Sequence, residues 1–241
     1  MPPKPTIAFF GATGGSVLSC LIPALKAGHK CNALVRTPTK LLTLLTKHNI
    51  SSSLIEQNLT IIPGPATSLP AVTQTLLLIN PNSTPESIPV DLIITGIGGT
   101  LIFNLPNPFP TLDNPTVCTD TMRTILTAAR TLPRKPKLVV VTGTGIHYTK
   151  RDVPVLMIPL YHWLLGVPHA DKRVMEDLVV GEMERDVDGE DGKGKGISGF
   201  LFVRASLLVD GGFEGRMGMG MGMGWRGKGG RDGGAGGGGC G

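Results

Sequence analysis

Three glycines, Gly11, Gly14 and Gly15, stand between a short apolar run and a segment with helical apolar spacing, and no other feature constrains the fold as strongly. The run at residues 6–10 is bounded by proline and glycine, which suits a strand buried on both faces of a parallel sheet. Residues 16–27 then carry apolar side chains at helical spacing and stop at Gly28, the usual place for a left-handed residue at a helix C-terminus. Pro23 inside that segment removes one backbone hydrogen bond at a cost of about 3 kcal/mol, so a kink or a shortened helix is expected. Strand, glycine turn and helix in this order bring backbone N–H groups and a helix N-terminus to one point, as a pyrophosphate requires. The turn therefore implies a dinucleotide's phosphates beside Gly11, Ala12, Thr13, Gly14, Gly15 and Ser16. A structural turn without a ligand would explain one of these glycines, but not all three.

The same rhythm continues along the chain. Residues 31–35 read as a second strand, and Thr37 with Pro38 as an N-cap and first-turn proline opening a helix through Lys47. Residues 59–62 make a third strand, and Ser68 is expected to cap a helix running toward Ile79. Residues 91–95 form a fourth strand that ends in a second glycine turn at Gly96, Gly98 and Gly99. A helix at 116–132, a strand at 138–141, a helix at 170–183 and a strand at 200–203 complete the pattern. Strands alternating with helices imply parallel β-α-β units joined by right-handed crossovers. The expected fold is α/β, a doubly wound Rossmann-like parallel sheet of about six strands, occupying residues 1–210 as one NAD(P)-binding domain.

Residues 211–241 are of another kind: half of the chain's 34 glycines lie there, among methionines and a few charges. Such a segment cannot bury enough side chain to offset the entropy lost on ordering, so a disordered, low-complexity tail is expected, and likewise at 189–196.

Composition narrows the function classes. Hydrophobic residues make up 41% of the chain and charged residues 17%, a globular balance poor in charge. The net charge of +5 admits an anionic partner, which nucleotide phosphates satisfy as readily as a nucleic acid. Cys20, Cys31, Cys118 and Cys240 form no C-x-x-C pair, so no metal site and no disulfide framework is expected, and the thiols read as reduced in a cytoplasmic protein. The N-terminal apolar stretch is too short for a signal peptide. The longest apolar passage, residues 153–167, is broken by Pro154, Pro159 and His162, so no membrane span is expected.

Where an NAD-preferring site carries an acid at the end of the second strand, this chain carries Arg36, with Lys40 a turn further on. Two cations there favour a 2′-phosphate and so NADP, with NAD as the alternative and a solvated strand-end charge as the bland one. Gly98 and Thr142, at the ends of the fourth and fifth strands, fall in the crevice where open α/β sheets bind ligands. A reductase also needs a hydrogen-bond donor for the oxyanion that forms as hydride arrives. Thr144, Tyr161 and Lys172 are the candidates, although Thr142 and Thr144 would equally serve turn formation and neither tyrosine has a lysine four residues later. Lys172 is expected in the first turn of a helix, where a cation meets an unfavourable dipole; its plain alternative is a solvated partner of Asp171. Residues 153–167, with Tyr161, His162 and Trp163, would wall a pocket for a flat apolar substrate, pack in the core, or contact a second copy.

With these motifs the chain resembles the atypical short-chain dehydrogenases with an NAD(P)H-binding fold, the group that includes NmrA-like proteins and biliverdin reductase B. Residues 9–15, 33–40, 141–145, 159–165, 168–172 and 202–208 are similar to fungal members related to averufin oxidase A. The resemblance covers roughly residues 5–210 and implies a nicotinamide dinucleotide and redox work on an aromatic secondary metabolite. Three departures stand out: Val17 replaces the third glycine of the G-x-x-G-x-x-G spacing, Ala205 replaces a proline, and the glycine-rich tail replaces further strands and helices. The tail is read as a product of the gene model. Three functions follow as expectations: an NADP-dependent oxidoreductase, a non-catalytic NAD(P)-sensing regulator, or, less in keeping with so few arginines, RNA binding through the tail.

Overall fold

The computed structural model describes residues 3–78, 88–102, 111–143, 146, 158–185 and 194–205, with backbone only at 101, 111, 158–165, 167 and 205. Six strands form one parallel sheet: β1 (Ile7–Phe10), β2 (Cys31–Val35), β3 (Leu59–Pro63), β4 (Leu92–Thr95), β5 (Lys137–Gly143) and β6 (Gly199–Ala205). Their spatial order is β6-β5-β4-β1-β2-β3, so the chain winds outward in one direction from β1 and then returns to wind in the other. That reversal opens a crevice between β1 and β4 at the carboxyl ends of the strands. The expected doubly wound α/β sheet of six strands is the observed fold. Two short antiparallel pairs supplement it, Leu77–Leu78 with Ile88–Pro89 and Leu101–Ile102 with Thr111–Leu112.

Period-two alternation splits the strand residues between two cores. On one face Ile7, Phe9, Ala33, Val35 and Ile94 pack against α1 (Gly15–Lys26), α2 (Pro38–Lys47) and α3 (Ser52–Asn58). On the other, Ala8, Phe10, Leu34, Ile93, Leu138 and Val140 pack against α4 (Leu69–Thr75), α5 (Val117–Arg130) and α6 (Ile158–Glu184). Phe9 and Phe10 are both fully buried, one in each core, which is why β1 reads as an unbroken apolar run. Asn32 is buried on β2 and its side-chain amide donates to the carbonyls of Thr75 and Leu77, at the end of α4.

Several local expectations are corrected. Helix α1 is not shortened by Pro23 but runs on to Lys26. Pro23 and Ser19, whose carbonyl loses its partner, both lie on the exposed side, where water reaches that oxygen. Thr37 and Ser68 occupy N-cap positions, yet neither side chain bonds the helix it precedes. Helix α3, capped by Ser51 through the Leu54 N–H, was not anticipated, because its seven residues are too few to show a period. Helix α6 starts twelve residues before the expected 170, at Ile158, and passes through Pro168. Of the segment expected to be disordered at 189–196, residues 194–196 are described; Gly196 is buried and its N–H donates to Glu182 Oε1. The tail at 211–241 lies outside the described residues.

Candidate functional site

The glycine turn is built by steric necessity. Gly11 has φ +83°, and a β-carbon there would stand 3.2 Å from the carbonyl carbon and oxygen of Gly96, at the end of β4. The Gly14 N–H donates to the Gly11 carbonyl at 2.9 Å and closes the turn. Gly14 is then the N-cap of α1, where no side chain bonds the first amides and no acidic residue occupies the first turn. The N-terminal dipole therefore faces outward without a protein anion to answer it.

This turn lines a cavity of about 410 Å³ that spans the carboxyl ends of β1 to β4. Six of the residues singled out in the sequence meet on its walls: Gly11, Thr13, Gly14, Arg36, Lys40 and Gly98. The others fall elsewhere. Ala12 is fully buried in the α1-side core, and Gly15 and Ser16 begin the helix without lining the cavity. Thr142 is 3% exposed, does not line the cavity, and keeps a hydroxyl with no partner among the described residues. Thr144 lies outside the described residues, and Tyr161 lies on α6 with its side chain outside them.

At the β2 end, Arg36 and Lys40 share the cavity wall with the rim residue Asp113, whose carboxylate feels the Arg36 charge. The Asp113 carboxylate accepts the N–H groups of Thr100 at 2.8 Å and Asn114 at 2.9 Å. The Thr100 amide foremost, with the Asn114 amide and the Arg36 charge, holds Asp113 below the usual carboxylate range against the opposing effect of desolvation. Sequence reasoning missed this rim, the loop of Gly64 and Ala66 after β3, and the α5 residues Val117 and Thr121. Only Gly64 carried a readable signal, as a glycine just past a strand.

Lys172 does not line the cavity, and its place differs from the one expected. It sits in the interior of α6, not in a first turn, so the unfavourable-dipole argument does not apply. Its ammonium nitrogen is 3.8 Å from where a β-carbon on Gly143 would stand, at the carboxyl end of β5. The preceding residue sets this placement. Asp171 is 6% exposed and accepts the N–H groups of Cys118 at 2.8 Å and Thr119 at 2.9 Å, capping α5 from another helix. Asp171 directs both oxygens to α5, and Lys172 beside it is half-buried. The Cys118 thiol donates to the Ile97 carbonyl at 3.2 Å and ties α5 to the second glycine turn. Burial, with the Asp171 charge, pushes that thiol up to about 12, so it stays protonated and is no nucleophile. Arg204, paired in register with Thr142, forms a half-buried ion pair with the buried Glu176 at 2.7 Å. The described residues contain no group of three or more side chains able to hold a metal ion.

Comparison with known proteins places this geometry. No family model matches the chain. It is 52% identical over 213 residues to Reductase pytE of Aspergillus terreus, covering 86% of this chain and 77% of that protein. It is 37% identical over 231 residues to Oxidase pynE of Aspergillus niger, covering 86% of this chain and 78% of that one. Among solved structures, ChuY, an anaerobilin reductase of Escherichia coli O157:H7, superposes with TM-score 0.56 at 17% identity, over 88% of this chain and 77% of that one. The yeast methylglyoxal/isovaleraldehyde reductase Gre2, solved with NADPH, gives TM-score 0.56 at 11% identity, over 83% of this chain and 57% of that one. The structural likenesses carry the fold, and the sequence identities carry the kinship: the chain belongs to the family of these fungal reductase and oxidase proteins.

Proposed function

We propose that the protein is an NADP(H)-dependent oxidoreductase acting on a small aromatic, polyketide-like substrate. The observation that carries the cofactor half is the cavity that joins the uncapped N-terminus of α1 to the Arg36 and Lys40 cations at the end of β2. The residues fit the group: Gly11 and Gly14 leave the space a β-carbon would take, their turn and the first amides of α1 receive the pyrophosphate, and Arg36 with Lys40 receives the 2′-phosphate. Gly98 and Ile97 line the side toward the substrate. Bound nicotinamide supplies hydride transfer.

The chain's own part in that chemistry is to orient the substrate and meet its oxyanion. Lys172, at the β5 end, is the proposed donor, with Thr144 and Tyr161 as further candidates; its ammonium, 3.8 Å from where a β-carbon on Gly143 would stand, supports the assignment. The likeness to a fungal reductase and a fungal oxidase supports redox work, and the aromatic substrate rests on the motif resemblance. Among the described residues no helix is long and apolar enough to cross a membrane, in keeping with a small-molecule enzyme of the cytoplasm.

Titration calorimetry tests the cofactor reading: NADPH binds in the micromolar range and more tightly than NADH, and absence of binding by either dinucleotide overturns it. A second reading, a non-catalytic NAD(P) sensor, is favoured by the lack of a tyrosine four residues before a lysine. Cofactor oxidation with any ketone or quinone of a small aromatic panel excludes the sensor.

A further inference from the structure

Thr121 is 2% exposed, lines the cavity, and carries a hydroxyl with no hydrogen-bond partner among the described residues. A buried hydroxyl left unmatched is costly and uncommon, so its persistence at this position asks for a reason. Threonines within helices ordinarily return the hydroxyl to the carbonyl four residues earlier. Thr43, Thr46, Thr75 and Thr124 of this protein all do so, at 2.7–3.0 Å. Thr124 sits on the same helix less than one turn away, so nothing about α5 itself forbids the bond. Thr121 alone of these threonines leaves it unmade, and it alone lines the cavity.

The surroundings say what the hydroxyl would meet. Val117 lies one turn earlier on α5 and shares the cavity wall with Thr121, as residues four apart on a helix do. Leu34, at the end of β2, and Ala66, after β3, belong to the same wall and to the α5-side core. These apolar groups and the Thr121 hydroxyl share the cavity wall with Arg36, which follows Leu34 and Val35 at the end of β2. An apolar wall carrying a buried, unmatched hydroxyl suits a flat heterocycle whose faces are apolar and whose edge both donates and accepts. A hydroxyl matches either role of that edge.

We propose that Thr121 is a specificity-determining residue of the dinucleotide site, its hydroxyl completing a hydrogen bond to the polar edge of the bound purine. This rests on the cofactor reading above. The bond satisfies Thr121 only in the complex, so the residue contributes to affinity and not to the stability of the free protein.

The experiment compares the wild-type full chain with Thr121→Val, which keeps the shape and removes the hydroxyl, and Thr121→Ser, which keeps the hydroxyl. Calorimetric titration with NADPH and with adenosine 2′,5′-bisphosphate is combined with thermal unfolding of the ligand-free proteins. Thr121→Val is expected to weaken both ligands roughly three- to tenfold, the range for one neutral hydrogen bond. Thr121→Ser stays near wild type, and ligand-free Thr121→Val melts at or above it. Equal affinity of Thr121→Val and wild type for either ligand overturns the proposal. So does a Thr121→Ser protein as weak as Thr121→Val, or a ligand-free Thr121→Val protein that melts well below wild type, since both are marks of a packing role. Failure of the wild type itself to bind NADPH and the bisphosphate overturns the cofactor reading instead.

Discussion

Val17 Cγ2 lies 2.6 Å from the point where a β-carbon on Gly96 would stand, so these two residues share one small space between α1 and β4. The family spacing places its third glycine at position 17, on the helix; here the bulk is on the helix and the glycine opposite it is on the strand end. Close approach of helix and sheet survives because Gly96 yields the volume that Val17, fully buried, takes up.

Gly96→Ala therefore overpacks the turn, with the Val141 Cβ a further obstacle at 3.3 Å. The expected loss is about 1–3 kcal/mol, the usual cost of inserting a methyl group into a close-packed site. Val17→Ala in the same chain recovers a good part of it, and a double-mutant cycle from urea unfolding should return a coupling of about 1 kcal/mol or more. Strict additivity of the two changes would show that the residues do not share the space.

Arg36→Ala is expected to weaken NADPH by about 10- to 100-fold, the worth of a charge-assisted hydrogen bond to phosphate, while NADH is little changed. Both affinities come from the same titration. Equal losses for the two dinucleotides would make Arg36 a general electrostatic contributor and not a 2′-phosphate contact.

Asp171→Ala leaves the Cys118 and Thr119 amides without their acceptor at the start of α5. Two buried donors and a favourable helix-terminal charge are lost together, so about 2 kcal/mol or more of stability should go. Asp171→Asn keeps an acceptor oxygen and should lose less. Chemical unfolding measures both, and the alanine variant should also loosen Lys172 from the β5 end, raising KM for the substrate.

Acid should act partly through Glu182. Burial alone would raise its pKa, but the two hydrogen bonds from Arg130, at 3.0 and 2.5 Å, the Gly196 N–H at 2.7 Å and the Arg185 charge outweigh burial and hold it below the ordinary value of 4.5. A carboxylate depressed in the folded state contributes stability that is fully present above its unfolded pKa and is lost as pH falls through the lower, folded value. The melting temperature of the wild type should fall in that acid window, and that of Glu182→Gln, already lower at neutral pH, should fall less steeply. Parallel curves would show that Glu182 does not titrate differently on folding.

Much of this was legible in the sequence. Phe9, Phe10 and the three glycines marked a buried strand and the tight turn that ends it, and Arg36 was found where the second strand of such a sheet must end. These are local signals, carried by periods of two and 3.6 and by residues with special backbone freedom. Lys172 was picked on a wrong premise, because α6 was expected to begin at 170 when it begins at Ile158 and accommodates Pro168. Thr121 gave no sign at all, since a threonine in an amphipathic helix looks the same whether or not its hydroxyl finds a carbonyl.

By itself, then, the amino-acid order determined the alternation of strands and helices, the parallel sheet and the place of the glycine turn, because each depends on neighbours within a few residues. The tertiary structure alone decided that Gly96 makes room for Val17, that Asp171 caps a helix some fifty residues away and so aims Lys172 at β5, and that Thr121 meets the cavity unsatisfied. Those relationships join segments far apart in the chain. Their energies come from shared volume and from matching buried donors with acceptors, quantities that exist only once the sheet has brought the segments together.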